Sequence, residues 1–135
     1  MKVVLDTNVL ISGIIFSGTP SRILTAWADG RFELLASVEI LTEYHRVADR
    51  LHAQFPTVDI KAVLDFVTRE TRIVEPSPVP RTACDDQDDL KFLACALAGQ
   101  ADCIVTDDRA LLRSSGFQRI EVLTPREFAR RHLGR

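Results

Sequence analysis

The stretch Lys2-Val3-Val4-Leu5-Asp6-Thr7-Asn8 joins a short apolar run to three polar residues at the start of the chain. The run is rich in β-branched residues and lacks polar alternation, which is typical of a parallel strand covered by helices on both faces. Asp6 then falls at the carboxyl end of this strand, where ligands bind in open α/β sheets. Taken alone, Asp6 is better explained as the cap of the following helix than as a functional residue.

Length and composition limit the classes of protein to consider. The 135 residues fit one domain, residues 1–135, and the hydrophobic fraction of 46% and charged fraction of 27% are typical of a globular protein. No apolar run approaches the ~20 residues of a membrane span, and polar residues interrupt the N-terminus too early for a signal peptide. The three cysteines have neither a CxxC spacing nor an even number, which predicts reduced thiols in a cytoplasmic protein.

The formal net charge of −2 conceals an uneven distribution. Eight of the 19 acids stand at candidate site positions, which leaves 11 acids against 17 Lys and Arg, about +6, on the remaining surface. A positive surface of this size suits phosphate binding, although solvated helix faces explain it equally well. Many of the arginines follow the last acidic pair: Arg109, Arg113, Arg119, Arg126, Arg130, Arg131 and Arg135.

Apolar runs with strand character alternate with amphipathic segments of helical period. This alternation predicts an α/β fold with a parallel sheet. Ser37 is predicted to cap the helix that runs to Leu51, and Thr57 to cap the next one. Gly99 is predicted to close the helix that begins at Asp88 or Asp89, and Thr124-Pro125-Arg126-Glu127 forms a capping box.

Four acids at distant positions are predicted to converge. Asp6 and the segment Thr106-Asp107-Asp108 each follow a strand, and the carboxyl ends of parallel strands lie at the same edge of a sheet. Asp89 lies in line with the buried row of its helix, and Glu43 interrupts an otherwise apolar stripe. A charged side chain on a core-facing row is costly unless it is paired.

Too few cations accompany these acids to neutralise them. Only Arg46 is at helical contact spacing from Glu43, and Lys91 is expected to be exposed to solvent. Two carboxylates about 4 Å apart repel by about 4 kcal/mol at an effective dielectric near 20, which a divalent cation would relieve. Oxygen ligands favour Mg²⁺ or Mn²⁺, and such a site suits attack of metal-activated water on a phosphodiester. Three further acids are explained as unrelated surface residues: Asp85, Asp86 and Asp88.

Three stretches and one residue carry a resemblance to a known family. The residue is Glu43, in the helix after the second strand. The stretches, in chain order, are Leu5-Asp6-Thr7-Asn8-Val9-Leu10-Ile11-Ser12, Cys84-Asp85-Asp86-Gln87-Asp88-Asp89-Leu90-Lys91-Phe92-Leu93-Ala94-Cys95-Ala96 and Ile104-Val105-Thr106-Asp107-Asp108-Arg109. Together they resemble PIN-domain ribonucleases of the kind that serve as toxins of bacterial toxin–antitoxin pairs (VapC-like). The resemblance implies a three-layer PIN-like domain with a central parallel sheet of four to five strands flanked by helices. It also implies a homodimer, an RNA substrate and inhibition by an antitoxin protein.

The same resemblance implies the roles of individual residues. The acidic site would consist of Asp6, Glu43, Asp89 and Asp108. Of these, Asp6, Asp89 and Asp108 would hold Mg²⁺ or Mn²⁺, and Glu43 would complete the cage or orient the water. Asn8 and Thr106 would be polar supports. The family usually has a small residue where Asp107 stands, so either Asp107 or Asp108 could reach the metal, and Asp108 is favoured.

Three functional hypotheses remain at this point. The first is a Mg²⁺- or Mn²⁺-dependent endoribonuclease, the toxin of a toxin–antitoxin pair. The second is a catalytically weak or inactive PIN-like module that binds RNA or protein, with the extra acids around Asp86 repelling RNA. The third is a phosphotransfer receiver domain, which requires an acidic pair at the first strand and a late lysine. Asn8 and Arg109 do not meet those requirements.

Overall fold

A computed structural model describes residues 1–134; Arg135, the last residue of the arginine-rich segment, lies outside the described residues. The strands of the described chain form a parallel sheet of five strands in the order β3-β2-β1-β4-β5. They are β1 Lys2–Leu5, β2 Glu33–Ala36, β3 Arg72–Ile73, β4 Cys103–Val105 and β5 Glu121–Leu123.

Helices flank the sheet, which confirms the predicted α/β fold with a central parallel sheet. They are α1 Thr7–Ile15, α2 Thr19–Ala28, α3 Val38–Leu51, α4 Ile60–Glu70, α5 Leu90–Gly99, α6 Arg109–Leu112 and α7 Pro125–His132. Short 3₁₀ segments lie between some of them, and the segment Gln87–Asp89 leads directly into α5.

The apolar residues of the middle strand β1 are fully buried, as the sequence predicts: Val3, Val4 and Leu5 have no exposed surface. The chain runs outward from β1 through β2 to β3 and then places β4 on the other side of β1. The strand order therefore reverses between β1 and β4, which is where open α/β sheets form a crevice beyond the strand ends. The backbone N–H of Asp6 donates to the carbonyl of Val105 at 3.0 Å, which fixes Asp6 at this position.

The predicted helix caps have different outcomes. Ser37 caps α3 as predicted and accepts the backbone N–H of Ile40 at 3.2 Å, and the capping box of Thr124 and Glu127 is present at the start of α7. The predicted cap at Thr57 is wrong. Asp59 instead caps α4, because its Oδ1 accepts the backbone N–H at the third helical position at 3.1 Å.

The role predicted for Gly99 is also wrong. Gly99 is the last residue of α5, and it is Gln100 that takes the left-handed conformation after the helix, with φ 54°. A Cβ on Gly99 would collide with the side chain of Leu35 in β2. Glycine is therefore favoured here by the close approach of α5 to the side chain of Leu35 and not by a left-handed cap.

Among residues 1–134, no single helix is long and apolar enough to cross a membrane. Helices α1 and α2 meet that length and hydropathy only together, across a bend of 91°. Both helices bury residues in the core: Val9, Leu10 and Ile11 from α1, and Ile23, Ala26 and Trp27 from α2.

Candidate metal centre

Thr106 connects the acids that follow the two central strands. Its buried hydroxyl donates to Oδ2 of Asp6 at 2.5 Å and accepts the backbone N–H of Asp108 at 2.9 Å. Asp108 in turn caps α6, with Oδ1 accepting the N–H groups of Ala110 and Leu111 at 2.8 and 3.2 Å. These bonds hold both carboxylates in the crevice between β1 and β4, and the cap uses only one oxygen of Asp108.

Three carboxylates meet in this crevice. Oxygen atoms of Asp86, Asp89 and Asp108 lie within 4.8 Å of one another, and we call these three residues the acidic cluster. Asp89 is only 7% exposed, whereas Asp108 is half-buried and Asp86 is exposed. Oδ2 of Asp89 is buried and has no hydrogen-bond partner among the described residues. A buried oxygen without a partner is costly, and a cation bound to the acidic cluster would satisfy it.

The pKa values of the buried acids reflect this crowding. Burial, reinforced by the charges of Asp108, Asp86 and Asp6, raises the pKa of Asp89 to about 7. Burial also raises the pKa of Asp6; the hydrogen bond from Thr106 and the nearby backbone N–H of Asn8 oppose this, and the charges of Asp108 and Glu43 add to it. The protein alone therefore does not stabilise all of these groups in their charged form. A divalent cation would favour the charged form, and an all-oxygen ligand set suits Mg²⁺ or Mn²⁺.

Glu43 lies outside the acidic cluster, and its negative charge is paired with cations of the protein. Its Oε1 is 2.8 Å from Nζ of Lys91 and 3.5 Å from the guanidinium of Arg46, and its Oε2 accepts the hydroxyl of Thr7. Burial by itself would raise the pKa of Glu43, but the bonds from Lys91 and Thr7 and the nearby positive charges lower it. Its position beside Thr7 still brings its charge close enough to affect the pKa of Asp6.

Two sequence-based expectations are corrected here. Lys91 is not solvent-exposed: its side chain is 9% exposed, and it pairs with Glu43, which was expected to have only Arg46 in reach. Asp86 is exposed as predicted, but it is not an unrelated surface acid, because it joins Asp89 and Asp108. Asp86 is the N-cap of the 3₁₀ segment; its backbone is extended, and its side chain accepts the N–H of Asp88 at 3.0 Å. No signal in the sequence indicated that Asp86 would lie beside Asp89, because its backbone lies outside any regular helix.

The remaining predicted site residues occupy less central positions. Asn8 lies in the first turn of α1, one residue beyond Thr7, and it is exposed. Asp107 is exposed and is not a member of the acidic cluster, whereas its neighbour Asp108 is. Between the two candidate acids of this pair, the geometry thus favours Asp108.

Comparisons with known proteins agree with the observed fold. A family model described as "PIN domain" matches residues 2–110. Six chains of solved structures match, among them the crystal structure of PAE2754 from Pyrobaculum aerophilum, with a TM-score of 0.65 and 16% sequence identity. The similarity covers 100% of this chain and 91% of that one, and at this identity it establishes the fold alone. No curated protein matches the chain significantly.

Proposed function

Because the chain belongs to the PIN domain family, we propose that it is an endoribonuclease that depends on Mg²⁺ or Mn²⁺. PIN domains are generally nucleases, and this chain has an acidic cluster at the edge of the sheet where α/β proteins bind their ligands. The observation that carries the proposal is the buried Oδ2 of Asp89, which has no partner among the described residues and stands beside two further carboxylates.

The proposal assigns a role to each acid. Asp89 and Asp108 would hold the ion, with Asp86 at the exposed side of the cluster and Asp6 at its inner side. A bound Mg²⁺ or Mn²⁺ supplies an activated water and neutralises charge on the phosphodiester. Thr106 positions Asp6 and Asp108 relative to each other through its two hydrogen bonds. Glu43, bound to Thr7 and Lys91, is assigned to positioning rather than to direct metal binding.

Exposed arginines at the same edge of the sheet would bind the RNA backbone. Arg109 directly follows Asp108, and Arg126 lies in the first turn of α7, immediately after β5. Both are exposed, and both helices begin at the carboxyl ends of strands, where the acidic cluster lies. Arginine contacts to phosphates are independent of sequence, so they would supply affinity and not the choice of cleavage site.

The biological setting is part of the proposal and is supported only by the resemblance of the sequence motifs. We propose a cytoplasmic toxin that forms a homodimer and is inhibited by an antitoxin protein lying across the acidic cluster. A short neighbouring gene for a DNA-binding antitoxin would support this setting. Co-expression with the product of that gene should then relieve growth inhibition by the protein.

The direct test is cleavage of end-labelled single-stranded RNA by the purified protein. We expect cleavage with Mg²⁺ or Mn²⁺ and none after addition of excess EDTA, because the carboxylates alone cannot activate water for this reaction. Asp6→Asn serves as the inactive control, since the amide keeps the shape of the side chain but not its charge. Cleavage that persists in both EDTA and the Asp6→Asn variant would refute the proposal.

The alternative is a PIN-like module that binds RNA or protein and cleaves weakly or not at all. One observation favours it: Glu43, an acid that the resemblance assigns to catalysis, is already bound by Lys91, Arg46 and Thr7. Retention of RNA in a gel-shift assay, together with a silent metal titration by calorimetry, would support this alternative over the nuclease.

A further inference from the structure

A pocket next to the acidic cluster has no role in the chemistry proposed so far. Its volume is about 470 Å³, which is within the usual range for sites that bind small ligands, and all of its lining residues are polar or charged. Asp88 is one of them and directly precedes Asp89, so the pocket adjoins the acidic cluster. We call it the side pocket, and it is lined by Glu39, Thr42, Glu43, Arg46, Asp88 and Lys91.

Helix α3 presents one row of side chains to the side pocket. The residues at positions 39, 42, 43 and 46 are separated by three or four positions, which is the spacing of a single helix face. Because α3 begins directly after β2, with Ser37 as its N-cap, Glu39 lies in the first turn of the helix. It therefore stands at the same edge of the sheet as the acidic cluster, which follows the parallel strands β1 and β4.

The strand order places the side pocket and the exposed arginines on opposite sides of the acidic cluster. Along this edge of the sheet the strands follow the order β2-β1-β4-β5. The side pocket lies beyond β2, whereas Arg109 and Arg126 begin helices after β4 and β5. An RNA strand whose phosphates contact these arginines and cross the acidic cluster would continue into the side pocket. The arginines would repel a cationic segment of a partner protein, so they favour RNA as the occupant.

The side pocket offers two acceptors and one planar cation to a ligand. The carboxylates of Glu39 and Asp88 are exposed and have no hydrogen-bond or ion-pair partner among residues 1–134. Lys91 is engaged with Glu43 and with the carbonyl of Asp88. The guanidinium of Arg46 lies 3.5 Å from Glu43 but is 69% exposed, so a flat ring can stack on it.

We propose that the side pocket binds a guanine base beside the phosphodiester that is cleaved, and that Glu39 selects this base. The Watson–Crick edge of guanine carries two adjacent donors, N1–H and the 2-amino group, and one carboxylate accepts both. In the other three RNA bases each donor on that edge is next to an acceptor, which a carboxylate repels. Proteins that recognise single-stranded RNA read base edges and stack bases on guanidinium planes. This inference rests on the proposed ribonuclease activity.

The test is the base preference of cleavage, first mapped by sequencing the ends of cleaved random-sequence RNA. We expect guanine on one side of the cleaved bond, with kcat/KM about tenfold higher than for the other bases, as one bidentate contact provides. Inosine, which lacks only the 2-amino group, should lower kcat/KM about fivefold or more in the same RNA, because it leaves part of the Glu39 carboxylate without a donor.

Replacing Glu39 with methionine keeps the length of the side chain but removes the acceptor. This variant should cleave the guanine and inosine RNAs with equal kcat/KM, and its activity on RNAs without guanine at this position should remain near that of the wild type. Glu33→Met is the matched control, because Glu33 is also exposed and lies at the opposite end of β2. It should keep the preference of the wild type.

The outcomes separate this inference from the proposed activity. Cleavage without a guanine preference, or a guanine preference that survives in Glu39→Met, would overturn the role of the side pocket and leave the nuclease intact. If no RNA is cleaved, the nuclease proposal fails, and equal binding of the guanine and inosine RNAs in fluorescence anisotropy would overturn the side pocket as well. An arginine-rich peptide that binds the wild type but not Glu39→Met, without any base preference, would assign the side pocket to a protein partner instead.

Discussion

Replacing Asp108 with asparagine is expected to lower kcat for RNA cleavage by at least about 100-fold, the size of effect seen when one charge-stabilising group is removed from an active site. Asp108 belongs to the acidic cluster, and asparagine lacks the negative charge that would hold a divalent ion. The fold should persist, because Oδ1 of Asp108 caps α6 and asparagine is an equally good cap. Single-turnover cleavage of a labelled RNA at saturating Mn²⁺ measures the effect.

The neighbouring residue provides a matched control for this prediction. Asp107→Asn removes the same charge from an exposed position outside the acidic cluster, and kcat should change by less than about threefold, as is usual for surface substitutions. The reverse pattern, with Asp107→Asn inactive and Asp108→Asn active, would show that the wrong acid of the pair has been assigned to the metal.

Replacing Asp89 with asparagine is expected to stabilise the metal-free protein at pH 8 and to abolish stabilisation by metal. The pKa of Asp89 is about 7 in the folded chain and about 3.9 in an unfolded chain. Its contribution to stability is therefore fully present below about pH 4 and is lost as pH rises through about 7. In EDTA, the difference in Tm between the wild type and Asp89→Asn should change by several degrees from pH 5 to pH 8, to the disadvantage of the wild type. A change in unfolding free energy of about 1–2 kcal/mol causes a shift of this size.

Calorimetric melts of both proteins at the two pH values measure this difference. Saturating Mn²⁺ at pH 8 should raise Tm of the wild type, because the ion binds only the folded state, and should leave Asp89→Asn nearly unchanged. Asp88→Asn, one residue earlier and exposed, should behave as the wild type does. If Tm changes with pH in the same way for the wild type and Asp89→Asn, the folded chain does not disfavour the charge on Asp89.

The features that the sequence predicted correctly depend on local patterns. The buried strand Val3–Leu5, the cap at Ser37 and the capping box at Thr124 each follow from neighbouring residue types, and the structure confirms them. The common edge for Asp6 and Asp108 also follows from chain order, because each residue follows a strand and β1 and β4 are parallel. Such inferences need only the period of the hydrophobic residues and the chemistry of helix ends.

The features that the sequence did not reveal depend on geometry between distant or irregular segments. Lys91 meets Glu43 across two helices, and no helical spacing links residues 48 positions apart. Asp86 joins the acidic cluster from an extended position before the 3₁₀ segment, where no regular period predicts the direction of a side chain. Gly99 is fixed by the side chain of Leu35 in another element, so its neighbours in the sequence could not distinguish packing from capping.

The most direct test of the central claim is the anomalous scattering of Mn²⁺ in crystals of the wild-type protein soaked with the ion. The account predicts a peak between the side chains of Asp89 and Asp108, at about 2.1 Å from an oxygen of each. The buried Oδ2 of Asp89 should be one of those oxygens. A crystal that cleaves RNA when dissolved, yet shows no peak at Asp89 and Asp108 or binds Mn²⁺ elsewhere, would contradict the account.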